Sequence, residues 1–152
     1  MPKIAIDTVP VHTGASYPPP YDEPCRNRHR SRLGDAAGLT QFGVNLLRLS
    51  PGAWSSQRHW HTHEDEFVYV LEGEVVLVTD AGEEILRPGD CAGFKAGEPD
   101  GHHLQNRGSA DAVVLEIGSR DPEHDGVEYP GIDLRIGPGR SQYTHLDGKP
   151  YT

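Results

Sequence analysis

A chain of 152 residues is long enough to bury one core and short enough to be one domain. Its formal charge of −9 excludes the basic footprint that nucleic acid or an anionic membrane surface requires, and no apolar run approaches the roughly 20 residues that span a bilayer. Hydrophobic content of 35%, with 18 glycines and 13 prolines, suits a turn-rich β protein better than a helical bundle.

Residues 1–38 read as an irregular N-terminal arm. The run SYPPPYDEP cannot sustain helix or ladder hydrogen bonds, because its prolines lack donors. CRNRHRSRLGD then concentrates positive charge in an otherwise acidic chain, as a solvated arm or one that packs over the barrel or a second subunit. The opening MPKIAIDTVP has no basic stretch followed by an apolar one, so the expected location is the cytoplasm. Cys25 and Cys91 lie far apart in dissimilar contexts and read as ordinary thiols.

Residues 39–118 form the expected core, strand after strand. QFGVNLLRL closes at Ser50-Pro51-Gly52; FVYVL and VVLVT flank the hairpin signal Glu72-Gly73-Glu74. Strands are also expected near residues 84–87, 91–94, 102–106 and 112–117, separated by Gly and Pro breaks. No stretch carries a sustained 3.6-residue apolar period, and many short strands imply a sandwich or barrel. Residues 119–152 form a polar, proline-interrupted C-terminal arm with possible edge strands at 129–136 and 141–145.

Five of the nine histidines fall in two short segments, RHWHTHEDEF and GHHLQN. In a strand His59 and His61 point the same way, and Glu66 heads the inward face that continues through Val68 and Val70. A carboxylate there needs a partner, and a metal ion supplies one. In the second segment only one of His102 and His103 can face a given site.

These segments resemble the two cupin motifs. The first is similar to a glycine followed by H-x-H, four residues, Glu, six residues and Gly, matched by His59-Trp60-His61, Glu66 and Gly73. The second is similar to a Pro-x-Gly turn followed by His, three residues and Asn, matched by His102 and Asn106. Departures lie in loops: the Gly52–His59 spacing is one residue long, Lys95 stands where proline is usual, and the turn before His102 is extended. The blocks LGDAAGLTQFGVN, RHWH…DEFVYVLEGE and YTHLDGKPY further resemble small bacterial single-domain cupins of the conserved-barrel type. The resemblance implies an all-β fold, a single cupin jelly-roll barrel with extended arms. It also implies a metal set of His59, His61, Glu66 and His102. His61 with His63 is the competing pair, but leaves only two residues before Glu66.

Three neutral imidazoles and one carboxylate leave a divalent ion with a net charge of about +1, suited to an anionic or readily ionised oxygen ligand. Mn, Fe, Ni, Co and Zn all accept such donors. Two enzyme classes follow: a Lewis-acid isomerase or lyase acting through an enediolate, with His63 as a rim proton carrier, or a dioxygenase. A non-catalytic small-molecule-binding or sensory cupin is the alternative. Gln57, Asn106, Arg48 and Tyr69 are candidate pocket residues by strand parity or position. Open edge strands and proline-rich arms suggest a homodimer.

Overall fold

The computed structural model describes residues 3–152. The strands, in chain order, are β1 (Val11–Thr13), β2 (Arg28–Arg32), β3 (Phe42–Leu49), β4 (Trp60–His61), β5 (Glu66–Glu72), β6 (Val75–Thr79), β7 (Gly82–Leu86), β8 (Cys91–Phe94), β9 (His103–Gln105), β10 (Ala112–Ser119), β11 (Val127–Glu128), β12 (Arg135–Ile136) and β13 (Tyr143–Thr144). The single α-helix among the described residues, α1 (Leu33–Ala36), is one turn long. None is long and apolar enough to cross a membrane.

One wall is a six-stranded antiparallel sheet ordered β1-β2-β3-β10-β5-β8. Opposite it stands β7-β6-β9, and backbone bridges Trp54–Gln105 and His59–His102 join this to the sheet β13-β12-β11-β4. The chain is thus an all-β jelly roll, the form that the cupin resemblance implied within the sandwich or barrel expected from its many short strands.

Alternation decides what each strand turns inward. On β5, Val68 and Val70 are buried, while Phe67, Tyr69 and Leu71 are 38–42% exposed. Across the sheet, Val70 aligns with Val114 and Leu47, and all three have no exposed surface. Leu49, Val75, Leu77, Leu86 and Leu104 complete the apolar end of the interior. Burying each such side chain contributes about 1.5–3 kcal/mol. Towards the other end the inward rows turn polar: Asn45 aligns with Glu116, and Glu66 with Gly118 and Phe94. The fold therefore has an apolar base and a polar cavity above it.

The β5–β6 hairpin turns at Gly73, with φ +72°. A Cβ there would stand 2.5 Å from the Asp111 carbonyl oxygen and 2.8 Å from Ala112 Cα. Both obstacles are backbone, so Gly73→Ala is expected to cost about 2–4 kcal/mol, read as a lower urea unfolding midpoint.

The N-terminal arm departs from the irregular segment expected from its prolines. Residues 28–32 pair with β3 over five registered positions, and β1 pairs with β2. The prolines lie between β1 and β2, so their missing donors do not interrupt either ladder. The C-terminal arm supplies β11–β13, starting two residues before the expected edge strand and breaking between 128 and 135. Cys25 is buried and Cys91 exposed; both are free thiols.

Candidate metal centre

Backbone pairing, rather than one continuous strand, assembles the site. His59 and His102 face each other across an isolated bridge: His59 N–H donates to the His102 carbonyl at 3.2 Å, and His102 N–H to the His59 carbonyl at 2.9 Å. His61 follows on β4, held by Val127 of β11. Glu66 heads β5 on the facing sheet, and its carboxylate reaches all three imidazoles.

The histidines present the same atom to it. Glu66 oxygens lie 3.4 Å from His59 Nε2, 3.4 Å from His61 Nε2 and 2.5 Å from His102 Nε2. Every Nδ1 faces away towards an oxygen that can only accept: the Gln57 carbonyl at 2.8 Å for His59, the Asp125 carboxylate at 2.7 Å for His61, and the Asp100 carbonyl at 3.2 Å for His102. Nδ1 is therefore a donor in each ring, which leaves Nε2 to carry a proton towards Glu66 in the charged ring or to offer its lone pair to a metal in the neutral one. Three Nε2 atoms then confront a carboxylate, and either protons on them or a metal ion between them satisfies both sides. Among the described residues no lysine or arginine pairs with Glu66. The donor set and the anchored Nδ1 atoms fit a divalent transition metal. His59, His61 and Glu66 place donor atoms within 4.8 Å of one another, and His102 adds its nitrogen through Glu66.

Local charge follows from the same contacts. Burial disfavours charge on His61, but Asp125 and Glu66 outweigh it and push the imidazole up to about 10. Burial would likewise raise Glu66; His59, His102 and His61 hold it well below the usual carboxylate range. Asp125 is also held low, with His61 and the His63 backbone N–H overcoming its burial. Phe94 stacks on His102 with ring centres 3.6 Å apart and planes 2° from parallel, which fixes that ring's orientation.

These residues open onto a cavity of about 390 Å³, which Arg28, Arg30, Arg32, Asn45, Glu64 and Glu116 also line. The other residues suggested by sequence lie elsewhere. His63 is exposed and hydrogen-bonds Thr62 at 2.8 Å, outside the cavity lining. Gln57 is buried but turned away, donating to the Tyr21 carbonyl at 2.8 Å, because residues 55–58 are bent and strand parity does not reach them. Asn106 is 1% exposed and spends its amide on backbone. Arg48 lies on the outer face beside Asp111 at 3.5 Å, and Tyr69 shares that outward orientation. His103 borders the cavity but is buried against Trp54 and hydrogen-bonded to the Ser56 carbonyl at 2.8 Å, and burial lowers it to about 4. Asp125, which orients His61 from 64 positions along the chain, carries no motif signal in the sequence.

Residues 45–118 match the cupin domain family. A crystal structure of a sugar phosphate isomerase from a cupin superfamily, from Silicibacter pomeroyi, is 45% identical and superposes with a TM-score of 0.91, covering 99% of this chain and 97% of that one. A second structure, from Acidithiobacillus ferrooxidans and described as a candidate sugar phosphate isomerase, is 32% identical with a TM-score of 0.71 over 82% of this chain and 80% of that one. The Streptomyces glaucescens tetracenomycin polyketide synthase protein TcmJ is 32% identical over 88 residues, 57% of either chain, so the match spans little more than half of that relative. Together with the jelly-roll topology and the two histidine segments, these likenesses establish that the chain belongs to the cupin superfamily.

Proposed function

We propose that this chain is a divalent-metal-dependent isomerase acting on a small, anionic, enolisable sugar derivative. The observation that carries the reading is the orientation of the three imidazoles, each with Nδ1 tied back and Nε2 facing Glu66 at one end of an internal cavity. The near-full-length likeness to the Silicibacter protein supports the isomerase class and a sugar phosphate as substrate.

His59, His61, Glu66 and His102 would hold the ion. Bound there, a divalent ion supplies Lewis acidity towards a hydroxy-carbonyl substrate. The chain's own residues do the rest. Asp125 fixes His61, the Phe94 ring fixes His102, and the apolar base closes the cavity below. Proton transfer falls to Glu64. One of its oxygens accepts the Asp121 N–H at 3.1 Å, while the other, Oε2, lies 3.9 Å from His61 Nδ1, beyond hydrogen-bond reach, and is the oxygen that would take a substrate C–H proton. Glu116, across the cavity, is tied to Arg30.

The test is solvent exchange. Metal-loaded protein in D₂O, offered three- to six-carbon aldose and ketose phosphates, should place deuterium next to the carbonyl and yield the isomer, both read by NMR. Glu64→Gln should slow exchange about 10²–10⁴-fold while retaining metal. Dioxygen uptake without exchange would replace the isomerase with an oxygenase, and binding without either would leave a non-catalytic module.

A further inference from the structure

The positively charged stretch of the N-terminal arm has a place inside the barrel. Arg28, Arg30 and Arg32 alternate with His29 and Ser31 along β2, so they share a face. Their registered neighbours on β3 are Leu49, Leu47 and Asn45, the first two wholly buried, so this face is the interior one. Arg28 and Arg30 are partly buried on that inward face, which is costly unless their charge is answered, while Arg32 stands at its exposed end.

The answer within the chain is incomplete. Arg30 is paired with Glu116 through two nitrogens, at 2.8 and 3.2 Å. Arg28 rests on neutral oxygens: Nε donates to the Gly14 carbonyl at 2.9 Å and Nη1 to the Ser55 carbonyl at 2.5 Å. No carboxylate pairs with Arg28 or Arg32 among the described residues. A guanidinium has five N–H groups, so Arg28 retains three for another partner. Burial and the charge of Arg30 both weigh against its cationic form, and Glu116 is shared between the two. The remaining cavity carboxylates, Glu64, Asp65 and Glu66, belong to the β4–β5 turn and the head of β5, on the metal side. The β2 wall therefore carries two more cations than anions. It also adjoins the candidate metal centre: Ser55, which holds Arg28, precedes Ser56, whose hydroxyl lies 3.2 Å from His59 Nδ1.

We infer that Arg28 and Arg32, set on either side of the Arg30–Glu116 pair, hold the phosphate of a phosphate-monoester substrate whose other end reaches the histidine–glutamate cluster. Two unpaired guanidinium groups match a dianion in charge, and their planar forks suit phosphate oxygens. The substrate's sugar character rests on the function proposed above; the excess of cations on β2 does not.

Binding separates the two ideas. The full chain, before and after chelation, is titrated with glycerol 3-phosphate, inorganic phosphate and glycerol by calorimetry, with metal content measured on the same samples. The wild type should bind glycerol 3-phosphate and phosphate, with or without metal, and show no comparable affinity for glycerol. Arg28→Met should weaken phosphate binding about 10- to 100-fold and Arg32→Gln about 3- to 10-fold, each with unchanged metal content. The exposed variant Arg87→Gln serves as the control and should bind as wild type. Arg32 is itself exposed, so its variant decides the matter if Arg28→Met does not fold. Failure of chelated wild type to prefer glycerol 3-phosphate over glycerol, or wild-type affinity in folded Arg28→Met and Arg32→Gln, overturns the inference. Wild type that takes up metal yet fails to bind glycerol 3-phosphate or phosphate refutes the phosphate subsite alone; phosphate binding in wild type that takes up no metal refutes only the metal-dependent reading.

Discussion

His59→Ala and His102→Ala should each abolish stoichiometric metal uptake, whereas His103→Ala should leave it intact, when all three are purified without chelator or nickel resin and measured by inductively coupled plasma mass spectrometry. The contrast follows from which ring atom is free. His59 and His102 commit Nδ1 to carbonyl oxygens and turn Nε2 towards Glu66. His103 uses Nδ1 on the Ser56 carbonyl, and its Nε2 lies 3.1 Å from the Gln105 side-chain amide. Removing one of four donors is expected to weaken binding by at least 10²-fold, beyond the 10- to 100-fold typical of a residue that only orients a ligand. Asp125→Asn belongs to that second group. It keeps an oxygen for His61 Nδ1 but removes the charge, so metal should remain detectable at higher free concentration. Equal metal loss in all three histidine variants would make the effect one of folding, and wild type refusing Mn, Fe, Ni, Co and Zn would remove the site altogether.

The parts of this arrangement that were legible in sequence are those governed by local alternation. Glu66, Val68 and Val70 face inward and Phe67, Tyr69 and Leu71 outward because a seven-residue strand obeys period two without interruption. Gly73 was legible as a turn because only a residue tolerating positive φ fits there. The histidine spacing pointed to a site, and the resemblance to the cupin motifs selected His102 over His103. Parity failed where the chain bends. Gln57 lies two positions before His59, but residues 55–58 are not a strand and its side chain swings to Tyr21. His63, also two positions from His61, lies past the end of β4 and points to solvent. Long-range pairing was invisible in principle. Asp125 meets His61 because β11 pairs with β4, and the arginines of β2 enter the cavity because β2 adds to β3 across the proline-rich loop. Neither pairing has a local signature, and residues 28–32 read as part of an arm, solvated or packed over the barrel, although their alternation was that of a strand.

Asn106 illustrates the remaining ambiguity, and its variant should be the most destabilising of the single polar substitutions considered for the cavity. The spacing to His102 made it a pocket candidate, yet its side chain closes a backbone junction at the apolar end. Nδ2 donates to the Leu49 and Ala110 carbonyls, each at 2.9 Å, and Oδ1 accepts the Gly108 N–H at 3.0 Å. Its own N–H and carbonyl join Ala53 and Gly52, so one residue ties the end of β3, the strand β9 region and the turn leading into β10. Asn106→Leu preserves volume and removes all three side-chain bonds. It strands the buried Leu49 carbonyl and frees the Ala110 carbonyl and Gly108 N–H, which belong to exposed residues, at about 1–3 kcal/mol for each group that water cannot reach. A total of about 2–4 kcal/mol would consume a sizeable part of the roughly 5–15 kcal/mol that stabilises a domain of this size. Urea unfolding should therefore show a large fall in midpoint, with metal bound per folded molecule unchanged. Asn106→Asp should recover only the Gly108 contact, since it accepts but cannot donate, and should lie below wild type for that reason. A normal unfolding midpoint combined with impaired substrate binding would instead return Asn106 to the pocket, and would mean that the three hydrogen bonds contribute little to holding the barrel closed.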